Sequence, residues 1–131
     1  MANEIWTDNF PSGNNLDAYV RKKTDDKVFD EADSGNTFET WVDGNVANYD
    51  IPMNDNGGDY YSVDFPTIIT TAGVYRVVIA LREGGTAAVS DKKIAQGELY
   101  WNGSAEQNFN TLSAQGSRVL NKYPTRSQPD V

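Results

Sequence analysis

The side chains in this chain with the most chemical potential are its carboxylates, 19 Asp and Glu among 131 residues, with no His and no Cys. Without His the commonest general base and the usual zinc ligand are missing. Without Cys there is no disulfide framework and no thiolate site. Hydrolysis by a pair of carboxylates is the one catalytic scheme this composition readily supplies, because glycoside hydrolysis asks only for two acids at a set separation. No acid, however, reads as lying in an apolar run that would drive its pKa up. Asp64 and Glu98 read as members of solvated strand faces. The serines have no His partner and no G-x-S-x-G elbow. Gly57-Gly58 and Gly84-Gly85 lack the Lys and helix of a phosphate loop. The sequence therefore predicts no catalytic centre, no cofactor and no metal site.

Two further groups of residues suggest binding. Asp55, Asn56 and Asp59, in Met-Asn-Asp-Asn-Gly-Gly-Asp, offer hard oxygen ligands of the kind calcium takes. The alternate ligand positions and closing Glu of an EF-hand loop are absent, and Asn-Gly-Gly before a strand is what a tight hairpin needs, so the turn reading is preferred. Trp6, Trp41, Trp101 and the Tyr60-Tyr61 pair could form a sugar-stacking platform. Strand alternation assigns Tyr61 and Trp101 to apolar faces, which leaves Tyr60 and Tyr100 as candidates for an exposed aromatic surface.

These residues are carried by strands. Leu16, Ala18 and Val20 alternate with Asp17, Tyr19 and Arg21, the period-two pattern of a half-buried strand, and Val28-Phe29 returns after the Thr24–Lys27 turn. Thr37–Val42 reads as a short strand or an irregular edge. Ala47, Tyr49 and Ile51 alternate up to Pro52. Tyr61, Val63 and Phe65 alternate cleanly, and Val74–Arg82 is the longest run, apolar on one face and mixed on the other, as a central strand would be. Ile94–Trp101 follows, with Gly97 in its middle suggesting a bulge or close packing against an aromatic ring. About seven short strands and no convincing helix predict an all-β, antiparallel β-sandwich, Ig-like or jelly-roll-like. The domain spans residues 16–106, preceded by an N-terminal arm, 1–15, and followed by an extended C-terminal tail, 107–131.

Net charge is −8. The tail carries Arg118, Lys122 and Arg126 against Asp130, net +2, so residues 1–106 carry net −10. An acidic body disfavours phosphate backbones, and nucleic acid is not an expected partner. No apolar run approaches a membrane span, and the first residues lack the basic start and apolar stretch of a signal peptide, so a soluble chain not routed through a Sec-type pathway is expected. Large apolar residues at both ends point to docking on the domain itself or on a partner: Trp6 and Phe10 in the arm, Phe109, Leu112 and Tyr123, with Arg118, in the tail.

The chain also carries a progression of short motifs: Leu16-Asp17-Ala18-Tyr19-Val20-Arg21, Ala47-Asn48-Tyr49-Asp50-Ile51-Pro52, Gly58-Asp59-Tyr60-Tyr61, Asp64-Phe65-Pro66, Ala72-Gly73-Val74-Tyr75-Arg76-Val77-Val78 and Gly97-Glu98-Leu99-Tyr100-Trp101-Asn102-Gly103-Ser104-Ala105-Glu106. In this order they resemble a group of small β-rich structural proteins of tailed bacteriophages. Asn102 stands where that group often has Asp, and Leu99 where it often has Ile. Residues 1–15 and 107–131 lie outside the likeness. The resemblance implies a non-enzymatic virion protein made in the host cytoplasm, most directly a capsid-decorating cement or head-fibre protein, with collar, tail or baseplate subunit as the alternative. It implies other virion proteins as partners, the major capsid protein or tail and collar subunits, and a homo-oligomer such as a trimer. A carbohydrate-binding β-sandwich module is the competing expectation from the aromatic residues.

Overall fold

The structure, a computed structural model, describes residues 3–32 and 37–107. Its two longest partners are β2 (Asn15–Lys22) and β8 (Gly73–Arg82), paired antiparallel in unbroken register from Asn15↔Arg82 to Lys22↔Tyr75. The match follows from their alternation: Leu16, Ala18, Val20, Val77 and Ile79 all turn to one side of the sheet and are buried there. β9 (Lys92–Trp101) adds to the far side of β8. On the other side of β2 lie β3 (Val28–Phe29), then β4 (Phe38–Glu39), with β5 (Ile51–Pro52) alongside β3 on β2's same flank. These make a six-stranded sheet. β1 (Ile5–Thr7), β7 (Tyr61–Val63) and β6 (Asn54–Asp55) form a three-stranded antiparallel sheet with β7 in the centre. Ile5, Tyr61 and Phe65 pack against Leu16, Ala18, Val77, Ile79, Leu99 and Trp101. The fold is an all-β sandwich of two antiparallel sheets.

The chain changes sheet three times, after β1, after β5 and after β7. Ile51-Pro52 pairs with β2, Met53 donates its N–H to the Leu16 carbonyl (2.9 Å), and Asn54-Asp55 already belongs to the smaller sheet. After β7 the segment 64–72 returns to β8, closed from within by two side chains. The buried Trp101 indole donates to the Ile69 carbonyl (2.8 Å), and the Tyr75 hydroxyl to that of Thr71 (2.5 Å). Phe65 lies between Tyr75 and Trp101, with ring centroids 5.2 and 4.4 Å away.

Two sequence expectations are corrected here. Residues 46–49 are not a strand but a short helix, α1 (Val46–Tyr49), after a 3-10 turn at Asp43–Asn45. Val46 and Tyr49, three apart, are buried while Ala47 and Asn48 are exposed, which is helical rather than extended spacing. Gly97 is neither a bulge nor packed against a ring. It pairs in register with Val77 and has no heavy atom within 4 Å of where a Cβ would stand. The register shift falls between Ile79↔Ala95 and Ala80↔Lys93, which makes Ile94 the extra residue. Residues 3–15 dock on the domain itself, one of the two placements that their large apolar residues pointed to. Ile5 is buried in the sandwich, Phe10 packs on its flank, and β1 is a strand of the smaller sheet.

Both faces of β2 are covered. On the side away from the sandwich, Tyr19, Val28, Val46, Tyr49 and Ala80 form a second apolar cluster capped by Trp41. The Tyr49 hydroxyl donates to the Glu39 carboxylate, which anchors α1 over the sheet. Among the described residues no helix is long and apolar enough to cross a membrane.

Candidate functional site

β1 and β9 are the terminal strands of their respective sheets, and between them opens a groove of about 220 Å³. Its floor is Val77, Ile79, Ala95, Gly97 and Leu99, its far wall Ile5 and Trp6, and its rim carries Glu4 and Glu106. The groove exists because β9 places small residues, Ala95 and Gly97, where its inward face would otherwise fill the gap between the sheets. Glu4 Oε1 accepts the Phe65 N–H (2.8 Å), which fixes the start of β1 to the segment after β7. Partial burial, and secondarily the Glu4 charge, push the Glu106 carboxyl above its ordinary range. Two carboxylates therefore share this groove, with one oxygen of Glu4 already committed to the backbone.

Trp6 stands at this rim, 54% exposed within a paired strand. Its neighbour Ile5 points into the core, so the alternation of β1 leaves the indole outside. Tyr60, half-buried, lies beside it with ring centroids 6.5 Å apart and planes tilted by 46°. Trp41 and Trp101 behave differently. Trp101 is buried, and Trp41 packs on Tyr19 and Tyr49 with Arg21 over its ring at 5.1 Å.

A second group lies on the outer face of β2. Asp17 is fully buried and neither carboxylate oxygen has a hydrogen-bond donor. Arg82 Nε stands 3.9 Å from Oδ2, too far for a hydrogen bond, and the Tyr19 hydroxyl is also unpartnered. Burial, then the charge of Asp50, raise the Asp17 carboxyl to about 6, against the opposing pull of Arg82. This corrects the expectation that no acid sits in an apolar run. Asp17 lies within Leu-Asp-Ala-Tyr-Val, and the sequence signal was present. It was misread because the polar face of β2 was assumed to meet water, whereas α1 and its neighbours cover it.

Asp55 and Asp59 serve the turn. Asp55 accepts the N–H groups of Gly13 (2.7 Å) and Gly57 (3.0 Å), which hold its carboxyl below the ordinary range. Asp59 and Ser12 exchange bonds, Ser12 N–H to Asp59 Oδ1 and Asp59 N–H to Ser12 Oγ. Among the described residues no group of three or more acids is arranged to hold a metal ion.

Of the residues singled out from sequence, the structure brings Trp6 and Tyr60 together at the groove rim. Phe10 packs half-buried against Tyr61 at 6.5 Å. Tyr100, half-buried, pairs across to Val74 on the outer face of the larger sheet, away from Tyr60. Phe109, Leu112, Arg118 and Tyr123 lie outside the described residues. The groove itself was not anticipated. Its one legible signal was the small inward pair Ala95 and Gly97 in an otherwise bulky strand. Comparison of the chain with protein-family models, with curated proteins and with solved structures finds no match.

Proposed function

We propose that this chain is a non-enzymatic structural protein of a tailed-bacteriophage particle, a cement or head-fibre protein decorating the capsid, with collar, tail or baseplate as the next location. The order of motifs across residues 16–106 supports the particle assignment, and the sandwich is the kind of scaffold such a role needs. The observation that carries the attachment reading is Trp6. A tryptophan 54% exposed on a structured strand is an anchor awaiting a pocket, since aromatic anchors dominate protein interfaces. Burying its remaining apolar surface is worth about 2 kcal/mol per copy, a modest amount that many copies on a symmetric lattice multiply. Glu4 tethers backbone rather than standing free, which favours an architectural use of the groove acids over a hydrolytic one.

The test is co-sedimentation. Purified chain is mixed with particles of the same genome assembled without it. The reading expects saturable binding at a fixed copy number per particle; chain left in the supernatant at all concentrations overturns it. The Trp6–Tyr60 pair also favours a second reading, a glycan-stacking surface. Glycan-array binding that is lost in Tyr60→Ala, with no particle binding, would select it.

A further inference from the structure

We propose that two copies of this chain pair through the edge of β9, antiparallel and about a two-fold axis at Gly97, joining their larger sheets into one. β8 covers one side of β9 along its whole length. On the other side, among the described residues, Glu106 bridges to Trp101 and the Gln107 N–H donates to the Tyr100 carbonyl (2.6 Å), and no described residue pairs with the rest of that edge. Toward the start of the strand the extra residue Ile94 breaks the register. The open edge is therefore 95–99, a stretch centred on Gly97. In an antiparallel ladder a residue's N–H and C=O point the same way, and successive residues point to alternate sides. The Tyr100 carbonyl faces outward, so the exposed Gln96 and Glu98 present their N–H and C=O to the open edge, while Gly97 spends its own on Val77.

Residues opposite one another in an antiparallel ladder share a face, so a two-fold pairing of one edge with itself sets one residue opposite its own copy. With Gly97 in that position, Gln96 of each copy exchanges N–H···O bonds with Glu98 of the other. Gly97 meets Gly97 in the closer, non-hydrogen-bonded spacing, where side chains crowd most and where it brings none. Ala95 falls opposite Leu99 on the sandwich face, both of them groove residues. Charge selects a second copy as the occupant. Glu4 and Glu106 lie at the end of the open edge next to Trp101, and Lys92 lies at the other end. Lys92 pairs with Leu81, two residues from Ile79, and so shares the sandwich face; Glu106, opposite the buried Trp101, is on that face too. Among the described residues none of Glu4, Glu106 and Lys92 is in an ion pair. Antiparallel pairing brings Lys92 of each copy to the Glu4 and Glu106 end of the other, so the same attraction is made twice in one interface. It also covers a strand edge of the kind that otherwise invites uncontrolled aggregation. The pairing does not depend on the particle reading.

Analytical ultracentrifugation of the full chain over a range of concentrations tests it, beside the variants Gln96→Pro, Lys92→Glu and Glu106→Lys. Proline at position 96 removes an N–H that only the new ladder uses and leaves the bonds to β8 in place. The native chain should pass from monomer to dimer as concentration rises, and the Gln96 and Glu98 amides, followed by NMR hydrogen exchange, should gain protection with it. Gln96→Pro should stay monomeric with the Ile79 amide still protected. Lys92→Glu and Glu106→Lys should each lose about tenfold in dimer affinity, and an equimolar mixture of the two should regain native affinity, because in the mixed pair both contacts are again between opposite charges. A native chain that is monomeric up to about 1 mM would overturn the proposal, as would protection at Gln96 and Glu98 that is the same at every concentration. An undiminished dimer in Gln96→Pro, or a mixture as weak as either charge variant, would overturn it too. Should Gln96→Pro lose protection at Ile79, the mixture of charge variants decides alone.

Discussion

Replacing Asp17 with Asn keeps its shape and removes its charge. The carboxyl is raised from 3.8 to about 6 in the folded chain, so the folded state holds the proton more tightly than the unfolded one. Its contribution to stability is complete below pH 3.8 and is lost as pH rises through 6, a loss of about 3 kcal/mol by neutral pH. Urea denaturation at pH 4.5 and pH 7.5 should show Asp17→Asn gaining stability over the native chain on going to the higher pH; parallel changes in the two proteins would mean the buried charge is compensated. Asp55 acts in the opposite sense. Its carboxyl is lowered by backbone donors, and the stability it contributes at neutral pH is lost as pH falls through its folded value. Gly103 is the other residue whose identity is dictated locally. A Cβ there would lie 2.9 Å from the Thr70 carbonyl oxygen, on a backbone at φ +108°. Gly103→Ala should cost about 1–3 kcal/mol, read as a lowered denaturation midpoint, whereas Gly97→Ala, in open space, should be nearly neutral.

At the scale of elements, Tyr61 of β7 ties down the connection between β1 and β2. Its hydroxyl donates to the Pro11 carbonyl (2.6 Å) and accepts the Asn14 N–H (3.1 Å). Tyr61→Phe should cost about 1–2 kcal/mol and speed proteolysis within residues 11–14 before the rest of the chain is cut. The long strands β2, β8 and β9 were legible in the sequence because each carries a sustained alternation, and alternation is what a two-faced sheet imposes. α1 was not legible, because over four residues Val46 and Tyr49 fit a strand or a helix, and only the pocket over Tyr19 and Trp41 decides. The groove was harder still. It is set by the spacing of two strands distant in sequence, β1 and β9, and no local pattern encodes that distance. Trp6 stood out in the sequence by its size and setting, but its neighbour Tyr60 on the same rim became apparent only from the pairing of β1 with β7.

For the whole molecule, the acidic body and the rim bearing Trp6, Glu4 and Glu106 describe a surface suited to a neutral or basic apolar pocket. Attachment through one exposed anchor per copy predicts binding that is weak for a single chain and strong for an array. The decisive measurement is co-sedimentation of Trp6→Ser with particles assembled without the chain, beside the native protein and with folding matched by near-UV circular dichroism. The account predicts that Trp6→Ser keeps its fold and loses at least about tenfold in particle affinity, the share of binding one buried indole supplies. Native affinity in a folded Trp6→Ser protein would contradict it.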